Sequence, residues 1–539
     1  MREHRQASSM QRVATLWVAA LLLCLTALWN GQPFFYPDTP TYLRGAEMGV
    51  TRLLGPAALK PWLPAPAPSA TDSPAAPGAL ATDPARRMKP LTSIQDKVVL
   101  AGRSAYYGVL LYAGYLAGKM WLSIALQALA VAYVLQLVMQ RLWGLRSREV
   151  LATVAALSLL TPLGVYTGFL MPDIFAPLAV LCMAALAVYW RELPAGHRWA
   201  LGAILLFGLC AHASHVALAA GLLVLALAAR WLSERWRGLS LAGLAVAAAC
   251  IAGAVAAEWV FAKAVTVAVG APPLRLPHPA ARLIDLGPGT AYLRQNCPDA
   301  GFAACEFLPN YPTSWDDFLF STDPSKGAFA LADAATKRRL SDEQLRLVGA
   351  VIRFDPVGVA SGVGADVLRQ LVNFRVDVSA YDGRGLAMFE GRMPDALFAD
   401  MRASRAANGS PLNEWLTWST YALVLASALA LAVRGFDPGV SSGNSSGAQE
   451  RRFSQFMAFA VAGVVTNAVI CATLASSLDR FQSRIVWLLP FMALALLARR
   501  RAQRRLPAPG TGHVRAADKP PPGRSDPLPT QPTPPTRAA

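Results

Sequence analysis

Two aspartates sit in apolar surroundings that make a carboxylate expensive. Asp38 lies in Phe-Phe-Tyr-Pro-Asp-Thr-Pro-Thr-Tyr-Leu (34–43), and Asp173 in Phe-Leu-Met-Pro-Asp-Ile-Phe-Ala-Pro (169–177). A carboxylate drawn into a bilayer core costs up to about 3 kcal/mol, so each needs a reason. One reason is a shared polar cavity, where partial desolvation raises basicity toward the range of a general base. The other is helix capping, since Asp is a good N-cap and Asp173 precedes an apolar run. His212 and His215, in Ala-His-Ala-Ser-His (211–215), would share a helical face at i, i+3. They could bind an acceptor, a phosphate or a divalent metal, or simply cap a short helical hairpin. Arg480 and Arg484, in Asp-Arg-Phe-Gln-Ser-Arg-Ile-Val-Trp-Leu-Leu-Pro (479–490), could hold an anion or be ordinary interfacial arginines. Arg103 and Tyr106, in Gly-Arg-Ser-Ala-Tyr-Tyr-Gly-Val-Leu-Leu-Tyr (102–112), are candidates for the same cavity.

Several chemistries have no motif here. There is no Gly-x-x-x-x-Gly-Lys-Ser/Thr phosphate loop and no His-Glu-x-x-His zinc helix. No Asp-x-Asp pair occurs either, which argues against metal-dependent nucleotide-sugar transferases.

The elements that must position these residues are membrane helices. Of 539 residues, 54% are hydrophobic and 15% charged, against about 25% charged in soluble domains. Uncharged runs, beginning at Val13–Trp29, reach the length that crosses a bilayer core. No small-residue cleavage site follows this first run, so it reads as a retained helix. The net charge of +17 is concentrated in short gaps between runs: Arg141, Arg146 and Arg148; Arg191 and Arg198; Arg230, Arg235 and Arg237; Arg451 and Arg452; and Arg499 to Arg505. Such loops mark the cytoplasmic side, so the charge reports topology and speaks against a nucleic-acid partner.

The resulting expectation is an all-α polytopic membrane protein with about ten spans. Spans are expected near 13–30, 120–140, 150–168, 174–190, two within 199–231, 239–265, 415–433, 454–475 and 485–498. An N-terminal membrane domain would cover 1–265, with a first outer loop at 31–103 that includes a Pro/Ala/Ser-rich tether at 64–85. Ser104–Ala117 reads as an interfacial helix. A mainly α extracytoplasmic domain would occupy 266–412, membrane helices 413–499, and a disordered basic, Pro-rich tail 500–539. Within the outer domain, 341–374 has helical periodicity. Trp315, Phe318 and Phe320 around Asp316 and Asp317 suit either sugar contacts or a small core. Both termini would be cytoplasmic and the large loop periplasmic, in a bacterial inner membrane. Five of the seven cysteines fall in apolar runs; Cys297 and Cys305 alone lie in the polar segment. A disulfide there suits an oxidising compartment, and closing so short a loop contributes about 2–3 kcal/mol.

The order of these features resembles the GT-C superfamily of integral-membrane glycosyltransferases, which includes protein mannosyltransferases, the lipid A aminoarabinose transferase and oligosaccharyltransferases. The resemblance rests on Asp38 in the first outer loop, the 102–112 segment, the acidic turn at Asp173 and the 479–490 segment. It covers roughly residues 13–265 and 415–498. It implies transfer from a polyprenyl-phosphate-linked sugar to an extracytoplasmic lipid, polysaccharide or protein. By that analogy Asp38 would be the base, Asp173 would orient the acceptor or a cation, and Arg480 and Arg484 would hold the departing lipid phosphate. Many members carry an Asp-Glu pair in the first outer loop, whereas Thr39 follows Asp38 here. That departure leaves open whether a divalent metal assists. A transporter or flippase of lipid-linked sugars or similar amphiphiles is the alternative; transporters place ionisable groups near the midplane, whereas these carboxylates fall at one face.

Overall fold

The computed structural model describes residues 2–55, 60–63, 96–434 and 445–504. The tract at 64–85 and the tail beyond residue 504 lie outside the described residues. The chain opens with α1 (Arg2–Asn30), α2 (Thr39–Leu54) and α3 (Ala105–Ala117). It continues through α4 (Trp121–Gln136), α5 (Ser147–Leu160), α6 (Leu163–Thr167), α7 (Phe175–Tyr189), α8 (Ala195–Ala211), α9 (Ala213–Leu232) and α10 (Leu241–Val269). A domain between α10 and α18 follows, built from α11 (His278–Leu286), α12 (Pro288–Asn296), α13 (Trp315–Phe320), α14 (Ala334–Phe354), α15 (Pro356–Val372), α16 (Gly383–Ala387) and α17 (Asp395–Ala403). The last helices are α18 (Leu412–Arg434), α19 (Ser445–Leu474), α20 (Asp479–Val486) and α21 (Leu488–Arg504).

Among the described residues, eight helical stretches are long and apolar enough to cross a membrane, which makes this an all-α multi-pass membrane protein. Two of the spans expected from the sequence are shorter than that. The stretch expected near 150–168 is broken: α5 ends at Leu160, Thr161 is extended (φ −137°, ψ 167°), and Pro162 precedes α6. The tract 199–231 is interrupted at His212, whose extended backbone (φ −159°) separates the 17-residue α8 from α9.

The bundle is organised around α7. Its stretch from Pro172 to Tyr189 is wholly buried, as its all-round apolar sequence requires. α8, α10 and α19 pack against it. Two glycines permit that closeness: a Cβ on Gly243 would sit 2.0 Å from the Leu186 carbonyl, and one on Gly463 would sit 2.5 Å from Val180. α1 packs on α4 and α5 at the other side of the bundle.

Within the domain between α10 and α18, α11–α14 share a separate core of Ile284, Leu293, Phe318, Leu319, Phe329 and Val351 among others, whereas Phe389, Leu397 and Met401 join the main core of the bundle. Cys297 and Cys305 are joined in a disulfide within the domain, with 5.6 Å between their Cα atoms. The expected helix over 341–374 is two helices bent by 106°. Pro356 cannot donate to the preceding turn, and the Asp355 side chain accepts from the Gly358 amide at 2.7 Å, starting α15 anew. A short parallel pair, β1 (Leu100–Ala101) with β2 (Leu274–Arg275), ties the domain to the segment before α3.

Candidate functional site

The loop after α1 is fastened to the turn before α7. Phe34 donates its amide to the Gly168 carbonyl at 2.9 Å, and Leu170 donates to the Phe34 carbonyl at 2.9 Å. Thr39 adds a hydroxyl bond to the Leu170 carbonyl at 3.1 Å. These few bonds bring Asp38 and Asp173, 135 positions apart by their numbering, to the same end of the bundle. The domain grips the loop from above: the Tyr381 hydroxyl accepts from the Phe35 amide at 2.7 Å, and Arg392 donates to the Pro37 carbonyl at 3.0 Å.

Asp38 immediately precedes α2 but makes no side-chain cap. Its Oδ1 lies 2.7 Å from Nη2 of Arg103, and both side chains keep about a quarter of their surface open, 28% and 23%. Arg103 is placed by β1, two residues upstream, and by Ser104, whose hydroxyl caps α3. Burial disfavours the Arg103 charge, and the Asp38 carboxylate more than offsets this, so its pKa is raised.

Asp173 is different. It is 1% exposed, in the turn Pro172–Ile174, and does not cap α7. Arg480 grips it with two donors, Nε at 3.2 Å and Nη2 at 2.7 Å, while Nη1 of Arg484 lies 3.5 Å away. Both carboxylate oxygens are therefore held by guanidiniums. Arg484 also donates to Asn467 Oδ1 at 3.0 Å. The Arg480 guanidinium lies 3.9 Å from the centre of the Tyr36 ring, two residues before Asp38. That contact joins the two charged clusters.

Tyr42 stands between them. Its ring meets Tyr107 edge-on at 5.4 Å, and its hydroxyl is buried without a partner. Arg103, Asp38, Asp173 and Arg480 all bear on it, and burial pushes its phenol well above the usual range. No sequence signal marked Tyr42 apart from its place in the 34–43 segment.

His212 and His215 lie at the same end, with ring centres 5.4 Å apart. His212 caps α9 by accepting from the Ser214 amide at 3.2 Å, and His215 Nδ1 contacts the Gly208 carbonyl at 2.8 Å. Nε2 of His215 is buried and unpartnered. Tyr106 is turned elsewhere: its hydroxyl donates to the Ala257 carbonyl of α10 at 2.8 Å. From the domain, His278 follows β2 as Arg103 follows β1, so the parallel register leads both toward one place. Its ring stacks on Trp315 at 5.3 Å, and burial together with Arg103 pushes its pKa down to about 4. Solvent reaches Asp316, yet the surrounding protein, Asp317 and Asp38 all raise its carboxyl pKa.

Among the described residues no three His, Cys, Asp or Glu side chains gather as a metal site. Asp38 faces a guanidinium rather than a second carboxylate. What the arrangement offers is a partly open carboxylate at Asp38 with Asp316 nearby, one buried and one largely buried arginine, and unpartnered phenol and imidazole groups. Comparison with family models, with curated proteins and with solved structures found no match.

Proposed function

We propose that this chain is a membrane glycosyltransferase that moves a sugar from a polyprenyl-phosphate donor to an extracytoplasmic acceptor, with Asp38 as general base. The observation that carries the reading is the contrast between the two aspartates. Asp173 is saturated by arginines, whereas Asp38 is partly open, fixed by one arginine and roofed by the α11–α17 domain. A lipid-linked donor suits a site at the end of an apolar bundle, because its chain can stay in the bilayer while its head reaches polar groups.

In this scheme an acceptor hydroxyl attacks the anomeric carbon. A new carbon–oxygen bond forms there as the bond to the phosphate oxygen breaks, and the hydroxyl proton passes to Asp38. Arg103 holds the carboxylate in place. Negative charge grows on the departing phosphate, and Arg480 and Arg484 provide positive charge preset by Asp173. No step requires a metal.

The test is mass spectrometry of envelope glycans from a deletion strain complemented with wild type or Asp38→Asn at matched protein levels. The expected result is a sugar lost on deletion, restored by wild type and missing with Asp38→Asn. Full restoration by Asp38→Asn would remove Asp38 as the base. A lipid-linked intermediate accumulating on one side of the membrane would instead support transport.

A further inference from the structure

α15 is amphipathic the wrong way round for a water-facing helix. Its inward face carries Asp366 and Gln370, 4% and 0% exposed. Its outward face carries Val357, Leu368 and Val372, exposed by 76%, 68% and 60%, with Ala360, Ser361, Gly364 and Ala365 between them; the Ser361 hydroxyl donates to the Gly358 carbonyl at 3.1 Å. These positions fall within one stripe at 100° per residue, about 22 Å long from Val357 to Val372. A soluble domain buries such a stripe and exposes its polar residues. The buried polar residues here are all engaged: Asp366 pairs with Arg282 and Arg369, and Gln370 both donates to and accepts from the Leu478 backbone, at 2.9 and 3.0 Å.

The place of α15 names what covers the stripe. The helix packs along α19, a membrane-spanning helix, after the 106° bend from α14. Its last residue accepts a hydrogen bond at 2.9 Å from the hydroxyl of Tyr421, which lies more than two turns inside the span Leu412–Val433. Trp415 and Trp418 stand nearer the start of that span, 58% and 68% exposed, as aromatic residues do at a membrane interface. The C-terminal end of the stripe thus meets α18, whose own exposed apolar residues include Leu425, Leu429 and Val433. The one charge at its rim, Arg369, has a long stem and lies 3 residues from its partner Asp366.

We infer that α15 is a re-entrant membrane helix whose Val357–Val372 face contacts the lipid chains of the leaflet on the domain side. The α11–α17 domain is therefore keyed into the bilayer beside α19 and α20. This inference is independent of the proposed transferase activity. It is tested by nitroxide labels on Val357→Cys and Leu368→Cys in nanodiscs, with Leu425→Cys as the lipid reference and Lys326→Cys, on the exposed domain surface, as the water reference. The five free cysteines are replaced by Ala; if that background does not fold, signal from labelled wild type is subtracted instead. The ratio of accessibility to oxygen over a water-soluble nickel chelate should match Leu425 at both α15 positions and exceed Lys326 several-fold. A ratio equal to that of Lys326 at both positions overturns the inference and makes the stripe a water-facing or protein-docking surface.

Discussion

The Asp173 cluster gives a perturbation whose size can be worked out in advance. Asp173→Asn removes the single negative charge between two guanidiniums while keeping the shape. The three side chains are 2%, 13% and 4% exposed for Asp173, Arg480 and Arg484, so water cannot replace the lost charge. Breaking a buried pair in this way costs about 3–5 kcal/mol. The Asn carbonyl still accepts one bond from Arg480, which places this variant near the lower bound, about 3 kcal/mol. Arg480→Gln should cost less, about 2 kcal/mol, because Asp173 retains Arg484 and solvent reaches part of the Arg480 site. In the double variant the uncompensated Arg480 charge is gone, so the costs should fall short of additivity by about 2 kcal/mol.

The assay is equilibrium unfolding in mixed micelles, followed by a label on α20, since that helix loses its tie to the turn before α7. Additive costs, or an Asp173→Asn variant as stable as wild type, would refute the reasoning. The same titration separates the two aspartates. The Asp38–Arg103 pair is about a quarter open, so water compensates part of its loss and it contributes less than the Asp173 cluster. Asp38→Asn should therefore change stability less than Asp173→Asn does while abolishing the glycan, and Asp173→Asn should lower both.

Further outcomes can be stated. His278 has a folded pKa of about 4, below its ordinary 6.5. The unfolded chain thus binds more protons between those values, and stability is full above pH 6.5 and lost as pH falls toward 4, by about 1–2 kcal/mol for so partly open a group. Melting curves across this window should flatten for His278→Gln. A Cβ at Gly108 would meet the Tyr42 carbonyl at 2.5 Å, so Gly108→Ala should push α2 from α3 and cost about 1–3 kcal/mol; calorimetry or thermal light scattering would show it. Cys297→Ala with Cys305→Ala should lower domain stability by about 2–3 kcal/mol, read by proteolysis of the 271–411 segment, with no effect on the spans.

Much of the frame was legible because hydrophobic run length is a local property. The apolar runs at 13–30, 239–265 and 454–475 each lie within a single long helix here, to within two residues. The chemistry was legible only as types of residue. Asp173, Arg480 and Arg484 were each marked by composition, yet their pairing joins positions 307 and 311 residues apart, and no local pattern encodes it. That pairing gives Asp173 two guanidinium partners, where the sequence offered a cap or a residue that orients an acceptor or a cation. Tyr42 and His278 were invisible for another reason. Their importance comes from unpartnered polar atoms, which exist only once the neighbours are packed. The inverted polarity of α15 shows the same limit from the opposite side. Its periodicity was plain, but a pattern alone gives a stripe and not what the stripe faces. Only the engagement of Asp366 and Gln370 inside, and of Tyr421 at its end, turns the outward stripe into a surface for lipid.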